Sequence, residues 1–231
     1  MATLVVCSGG LDSVTLAHRV AAEGDLAGLV TFDYGQRHRK ELDYATVAAE
    51  RLGAPHDLVD LSPLGRHLTG SALTDDVDVP EGHYTAANMA LTVVPNRNPI
   101  LFTIAFGIAA SRGWDGVAAA VHSGDHHVYP DCRPEFVEAF AAMERQALEG
   151  MGEVAFHTPF VTWSKAAIVA EGARLGVPFE ATWSCYQGEG VHCGRCGTCV
   201  ERREAFFEAG VADPTAYADP DYWQTVTADN A

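Results

Sequence analysis

Short runs rich in Val, Leu and Phe alternate along the chain with Ala-rich stretches whose apolar positions recur at helical spacing. The runs "TLVVC", "LAGLVTF", "PHDLVDL", "GVAAAV" and "EVAFHTP" have the length and composition of buried strands. Between them "SVTLAHRVAAEG", "LDYATVAAERLG" and "PILFTIAFGIAASRG" read as helices, each closed by a glycine suited to a left-handed cap. Strand and helix in alternation predict an α/β fold of Rossmann-like type, a mainly parallel sheet with flanking helices. Residues 62–95 break the rhythm. There "TDDVDVPEGHYTAANMAL" is polar, interrupted and aperiodic, and is expected to form a long loop over the sheet edge, as a lid or a contact between two copies. A second change comes at Thr182, where a Cys and Gly loop leads into a helix, "GTCVERREAFFEAG", and an acidic tail with Pro214 and Pro220. The expected organisation is one α/β unit over 1–181 and a small C-terminal segment, 182–231, packed on the same domain.

Composition narrows the partners more than the fold. The 231 residues, 48% of them hydrophobic, suffice for one sizeable core. Against 15 Lys and Arg stand 31 Asp and Glu, a net charge of −16. So acidic a surface repels a nucleic-acid backbone wherever basic residues are not clustered. The N-terminus lacks the basic and apolar regions of a signal peptide, and "PILFTIAFGIAAS" is too short to span a bilayer. A cytoplasmic protein acting on small molecules, without nucleic-acid or membrane partners, is the expectation.

The chemistry begins where the first strand breaks off, in "CSGGLDSV", residues 7–14. A strand that turns through Ser8, Gly9 and Gly10 into a helix aims free N–H groups and the positive helix end at one point, a ready phosphate site. Glycines there let an anion approach a backbone that side chains would shield. No Gly-Lys-Ser/Thr follows, so this is not a Walker loop. "SGGLDS" resembles the pyrophosphate loop of the PP-loop ATP pyrophosphatases. The resemblance implies that ATP is bound and cut between its α and β phosphates, with Ser8, Gly9, Gly10 and Ser13 on the pyrophosphate. Asp12 is implied to hold magnesium or orient the loop. Cys7, Leu11 and Val14, with Phe32 and Tyr34 at the end of the second strand, complete the implied nucleotide contact. Cys7 itself reads as a small strand residue rather than a nucleophile.

Further stretches narrow the resemblance. "FDYGQRH", then "VPNRN" at 94–98, then "GDHHVYPDCRPEF" at 124–136 and a C-terminal "HCGRCGTCVERREAF" together resemble the 7-cyano-7-deazaguanine synthases of the queuosine pathway. The likeness runs from Leu4 to about Tyr217. It implies a carbon–nitrogen ligase that converts 7-carboxy-7-deazaguanine and ammonia, with ATP, to the nitrile through an adenylated carboxylate and an adenylated amide. A homodimer is expected. Asn98 before Pro99 reads as a helix N-cap pair that brings Arg97 to a helix N-terminus, where a carboxylate would dock. Arg37, after the second strand, is expected to face an anionic group of the substrate. In the third stretch Asp125, Tyr129, Asp131 and Arg133 are expected at the substrate. An ionised Asp matches the N1–H and amine of a guanine-like edge, Tyr129 stacks or donates, and Asp125 and Asp131 are equally candidates for magnesium. Lys165, in the first turn of a helix capped from Thr162, is expected to neutralise phosphate charge in the transition state. Asp12, Ser13, Arg97 and Lys165 form the expected catalytic set.

Cys185, Cys193, Cys196 and Cys199 are separated by seven, two and two residues. Such crowding in a chain without a secretory signal points to a closed tetrahedral metal site rather than to disulfides. An iron–sulfur cluster is the competing occupant, but the downstream Cys-Pro is missing and the fourth Cys lies upstream, which favours structural zinc. The family resemblance also implies zinc. Two other functions fit parts of the pattern: a related PP-loop enzyme that uses another acceptor or thiolates tRNA, and a nucleic-acid module built on the cysteines. Arg195, Arg202 and Arg203 are offset by Glu189, Glu201 and Glu204, which leaves little electrostatic footprint for RNA or DNA.

Overall fold

The computed structural model of the chain describes residues 1–83, 87–187 and 190–228. Residues 84–86 of the expected loop, Glu189 and the last three residues of the tail lie outside the described residues. Among the described residues five strands form, β1 Thr3–Val6, β2 Leu26–Asp33, β3 His56–Asp60, β4 Gly116–Ala118 and β5 Ala155–His157, each on one of the apolar runs. The helices are α1 Leu11–Ala22, α2 Lys40–Leu52, α3 Ser62–Gly65, α4 Arg97–Ser111, α5 Pro134–Ala147, α6 Lys165–Leu175, α7 Gly197–Ala209 and α8 Tyr222–Ala228. The sheet order is β3-β2-β1-β4-β5 and all four pairings are parallel.

Alternation along β1 sends Val5 and Leu4 to opposite faces, and each face has its own core. On one side Val5, Leu29 and Ala118 pack with α1, α2, α6 and α7 through residues such as Val14, Ala45, Ile168 and Phe206. On the other, Leu4, Val30 and Val117 meet α4 and α5 through Phe102, Phe106 and Phe140. Phe206 belongs to α7, so the C-terminal segment contributes to the first core. Among the described residues no helix is long and apolar enough to cross a membrane.

Chain reversal between β1 and β4 opens a crevice at the carboxyl ends of these two strands, the usual ligand position in such sheets. Two helix starts differ from expectation. α4 opens one residue before Asn98, after Asn96 in left-handed conformation at φ 57°, and Asn98 is buried inside the first turn. α6 is capped by Ser164, whose hydroxyl accepts from the Ala167 N–H at 3.2 Å, two residues beyond Thr162. The described part of 62–95 is anchored: Ser71, Leu73, Met89 and Thr92 are buried, and Leu73 and Val94 pack with Tyr34.

Candidate active site

The crevice is a cleft of about 1170 Å³, part of it open to solvent. Its floor is the turn from β1 into α1. Gly9 has φ +83°, and a Cβ there would lie 2.1 Å from the Glu41 carbonyl oxygen and 2.7 Å from the Ala45 nitrogen. Close approach of α2 therefore explains Gly9 more directly than anion access does. The Ser8 N–H donates to Ser13 Oγ at 3.1 Å, the two hydroxyls are 3.2 Å apart, and Ser13 Oγ also donates to the Gly10 carbonyl at 3.1 Å. Among the described residues no side chain caps α1, and the N–H groups of its first turn have no acceptor within the helix. Cys7, Ser8, Gly10, Leu11, Asp12, Ser13, Phe32 and Tyr34 line the cleft, whereas Val14 packs into the core.

One wall is charged. Lys165 Nζ lies 3.1 Å from Asp12 Oδ2 and 2.7 Å from Glu201 Oε2. Burial opposes the Lys165 charge, but Asp12, Glu201 and Asp125 together hold its pKa above the ordinary lysine value. Burial also works against ionised Asp12, but Lys165, His122 and Arg202 together outweigh it, so that carboxyl titrates lower than usual. Burial wins at Glu201, whose carboxyl is pushed up against the pull of Lys165. Asp12 Oδ1 is buried without a hydrogen-bond partner among the described residues. His122, 1% exposed, sits between Asp12 and Asp125.

The facing wall is aromatic and carries Arg97. Its guanidinium lies 6.0 Å from the Tyr34 ring centre and 5.9 Å from that of Tyr129, close enough for cation–π attraction. Burial pushes the Tyr34 hydroxyl up to about 12, so the ring stays neutral. Among the described residues Arg97 has no carboxylate partner; its Nε donates to Asn98 Oδ1 at 3.2 Å. Trp183, Tyr186, Phe102 and Cys132 also line the cleft.

Arg97, Asp125 and Lys165 thus meet the pyrophosphate turn in one cleft, as the sequence suggested. Others go elsewhere for plain reasons. Arg37 turns away to hold the carbonyls of Asp75 and Val77 at 3.2 and 2.5 Å, fastening the 62–95 segment. Asp131 accepts from the Asn98 N–H at 3.3 Å and so serves the N-terminus of α4. Arg133 is exposed and donates to the His126 carbonyl at 2.9 Å. Tyr129 is buried behind Arg97, its hydroxyl 2.7 Å from Thr92 Oγ1. Sequence reasoning missed His122, Glu201, Trp183 and Tyr186. Only His122 gave a signal, since it stands two residues before the quoted loop after the fourth strand.

The four expected ligand sulfurs do converge. Cys185, Cys193, Cys196 and Cys199 place them within 4.8 Å of one another, with 3.9 Å between Cys193 and Cys199. That is near the roughly 3.8 Å that tetrahedral bonds of about 2.3 Å require. The Cys193 N–H donates to Cys185 Sγ at 3.3 Å, and the N–H groups of Arg195 and Cys196 donate to Cys193 Sγ at 3.3 and 3.2 Å, a pattern that stabilises thiolates. Gly194 is required at the turn, because a Cβ there would lie 1.9 Å from the Asp219 carbonyl oxygen. The donor set fits a metal ion closed off from substrate.

A parallel sheet whose first strand turns through Ser-Gly-Gly into a helix at the switch point defines an α/β protein of the PP-loop class. The solved NMN synthetase of Francisella tularensis has this fold, with a TM-score of 0.50 and 15% identity over 97% of this chain and 84% of its own. Within the class, the chain belongs to the family of queuosine biosynthesis protein QueC, whose model matches residues 2–210. The 7-cyano-7-deazaguanine synthase of Ruegeria pomeroyi is 67% identical over 224 residues, 97% of each chain. That of Sinorhizobium fredii is 64% identical over 228 residues, 99% of this chain and 97% of the relative.

Proposed function

We propose that this chain converts 7-carboxy-7-deazaguanine and ammonia to 7-cyano-7-deazaguanine at the expense of ATP. The observation that carries the reading is Arg97, a cation between two tyrosine rings with no carboxylate partner among the described residues, facing the pyrophosphate turn across one cleft. Arg97 binds the substrate carboxylate and leaves one of its oxygens to attack the α-phosphate of ATP. Pyrophosphate departs into the turn of Ser8 to Ser13, whose N–H groups and helix end take its charge. Ammonia then displaces AMP and the product amide sheds a proton. The amide oxygen attacks a second ATP and pyrophosphate leaves again; the adenylated amide then loses both of its N–H protons as AMP departs, which gives the nitrile. Lys165 neutralises phosphate charge as it develops, and Asp125 is the acid at the deazaguanine.

Asp12, with a buried oxygen that has no hydrogen-bond partner among the described residues, is the fitting ligand for the magnesium that accompanies ATP. That ion would screen the phosphates. The four thiolates suit zinc in a structural role. A cytoplasmic homodimer acting only on small molecules is the proposed setting, and the net charge of −16 supports the exclusion of nucleic acid.

Incubation with ATP, ammonium and the carboxylate, followed by mass analysis, should give the nitrile with AMP and pyrophosphate. The 7-amido compound should also yield the nitrile with ATP and no ammonia. ADP as the sole nucleotide product of a single turnover would sink the adenylation mechanism.

A further inference from the structure

His122 belongs to neither the motif of the pyrophosphate turn nor the loop that follows it, yet it lies between them. Its Nδ1 accepts from the Gly124 backbone N–H at 3.1 Å. A nitrogen that accepts a hydrogen bond is unprotonated, so the ring proton is on Nε2. That Nε2–H is buried and makes no aligned hydrogen bond. It points between two carboxylates, 3.6 Å from Asp12 Oδ2 and 3.4 Å from Asp125 Oδ2. The fixed tautomer removes two roles: Nε2 cannot take up a proton as a base, nor offer a lone pair to a metal.

What remains is an N–H group set close to two acids of the charged wall, which stand on different elements. Asp12 stands in the first turn of α1 and Asp125 in the turn after β4. Like charges this close repel strongly in a half-buried site. Lys165 of α6 draws Asp12 from one side, while Glu201 of α7 adds a third acid beside Lys165. Both Asp12 and Asp125 line the cleft and His122 does not.

We propose that His122 is a positioning residue, whose Nε2–H holds Asp12 on the ATP side and Asp125 on the deazaguanine side at the separation that the adenylation step needs. The inference rests on the reaction proposed above. Because His122 touches no reactant, its loss misplaces two groups without removing either.

The test is carboxylate-dependent exchange of labelled pyrophosphate into ATP, which reports the first activation without ammonia. His122→Asn is expected to lower kcat on the order of 100-fold, the effect of misplacing reacting groups by about 1 Å, with little change in either KM. His122→Gln, whose longer amide can carry an N–H toward the Nε2 position, is expected to recover most of that loss. If His122 acts through Asp125, the losses in His122→Asn and Asp125→Asn will not add in the double variant. Exchange at the wild-type rate in His122→Asn, a folded His122→Gln as slow as His122→Asn, or strict additivity would each overturn the proposal. Absence of exchange in the wild-type enzyme would instead refute the reaction itself, which is a different result.

Discussion

Arg97 is expected to discriminate between the two activations, because only the first substrate carries a full negative charge. A hydrogen bond to a charged group contributes about 1.5–3 kcal/mol, or roughly 10- to 100-fold in binding. Arg97→Ala should therefore raise the KM for 7-carboxy-7-deazaguanine by about that factor and raise the KM for the 7-amido compound much less. Steady-state kinetics on both substrates checks this; equal losses would take Arg97 off the carboxylate. Gly9 makes a structural counterpart in the same cleft. Its φ of +83° and the backbone of α2 at 2.1 Å leave no space for a methyl group. Gly9→Ala should cost on the order of 3 kcal/mol, from left-handed strain and overpacking together, and appear as a fall of several degrees in Tm. A side chain tolerated at Gly9 would mean that α2 does not pack there.

At the level of elements, the packing of α5 on α4 contains a buried acid. Glu144 is 4% exposed, its Oε1 has no hydrogen-bond partner, and burial raises its carboxyl pKa, with a hydrogen bond from Thr103 only partly opposing this. A group whose folded pKa is raised contributes its stability below the ordinary carboxylate value and loses it as pH climbs through the raised one. Glu144→Gln does not titrate, so its Tm relative to wild type should grow by a few degrees as pH rises from about 4 to 8. Thermal melts of both proteins across that range decide it, and a constant difference would mean that Glu144 is ionised in the fold at little cost. The strands and main helices were legible because period and glycine caps are local signals. The charged wall was not. Lys165 and Glu201 are 36 residues apart, and nothing local marks a glutamate inside α7 as the partner of a lysine in α6. The partners of Arg37 and Asp131 were hidden for a related reason: the Asp75 carbonyl that Arg37 holds and the Asn98 N–H that Asp131 accepts from are both more than 30 residues away along the chain.

On the scale of the whole molecule, the cysteine site is expected to hold together more than its own loop. Trp183, two residues before Cys185, donates its backbone N–H to the Gly9 carbonyl at 2.9 Å and its indole N–H to the Cys185 carbonyl at 2.9 Å. Thr198, between two of the cysteines, donates to the Ser184 carbonyl at 2.7 Å. Arg202, fully buried in α7, ties Thr182 Oγ1, the Phe179 carbonyl and Thr215 Oγ1 together at 2.8–3.0 Å. One wall of the cleft is therefore built from the same short segments that carry the thiolates. Metal binding energy is folding energy when the site does not exist in the unfolded chain. Purified protein should be colourless with about one zinc per chain. Chelation, or Cys196→Ala, should lower the Tm, change Trp183 emission and abolish pyrophosphate exchange together, in one cooperative transition. Retained exchange after metal loss, or a separate low-temperature transition confined to residues 182–228, would mean that the C-terminal segment folds as an appendage and that the cleft stands without it.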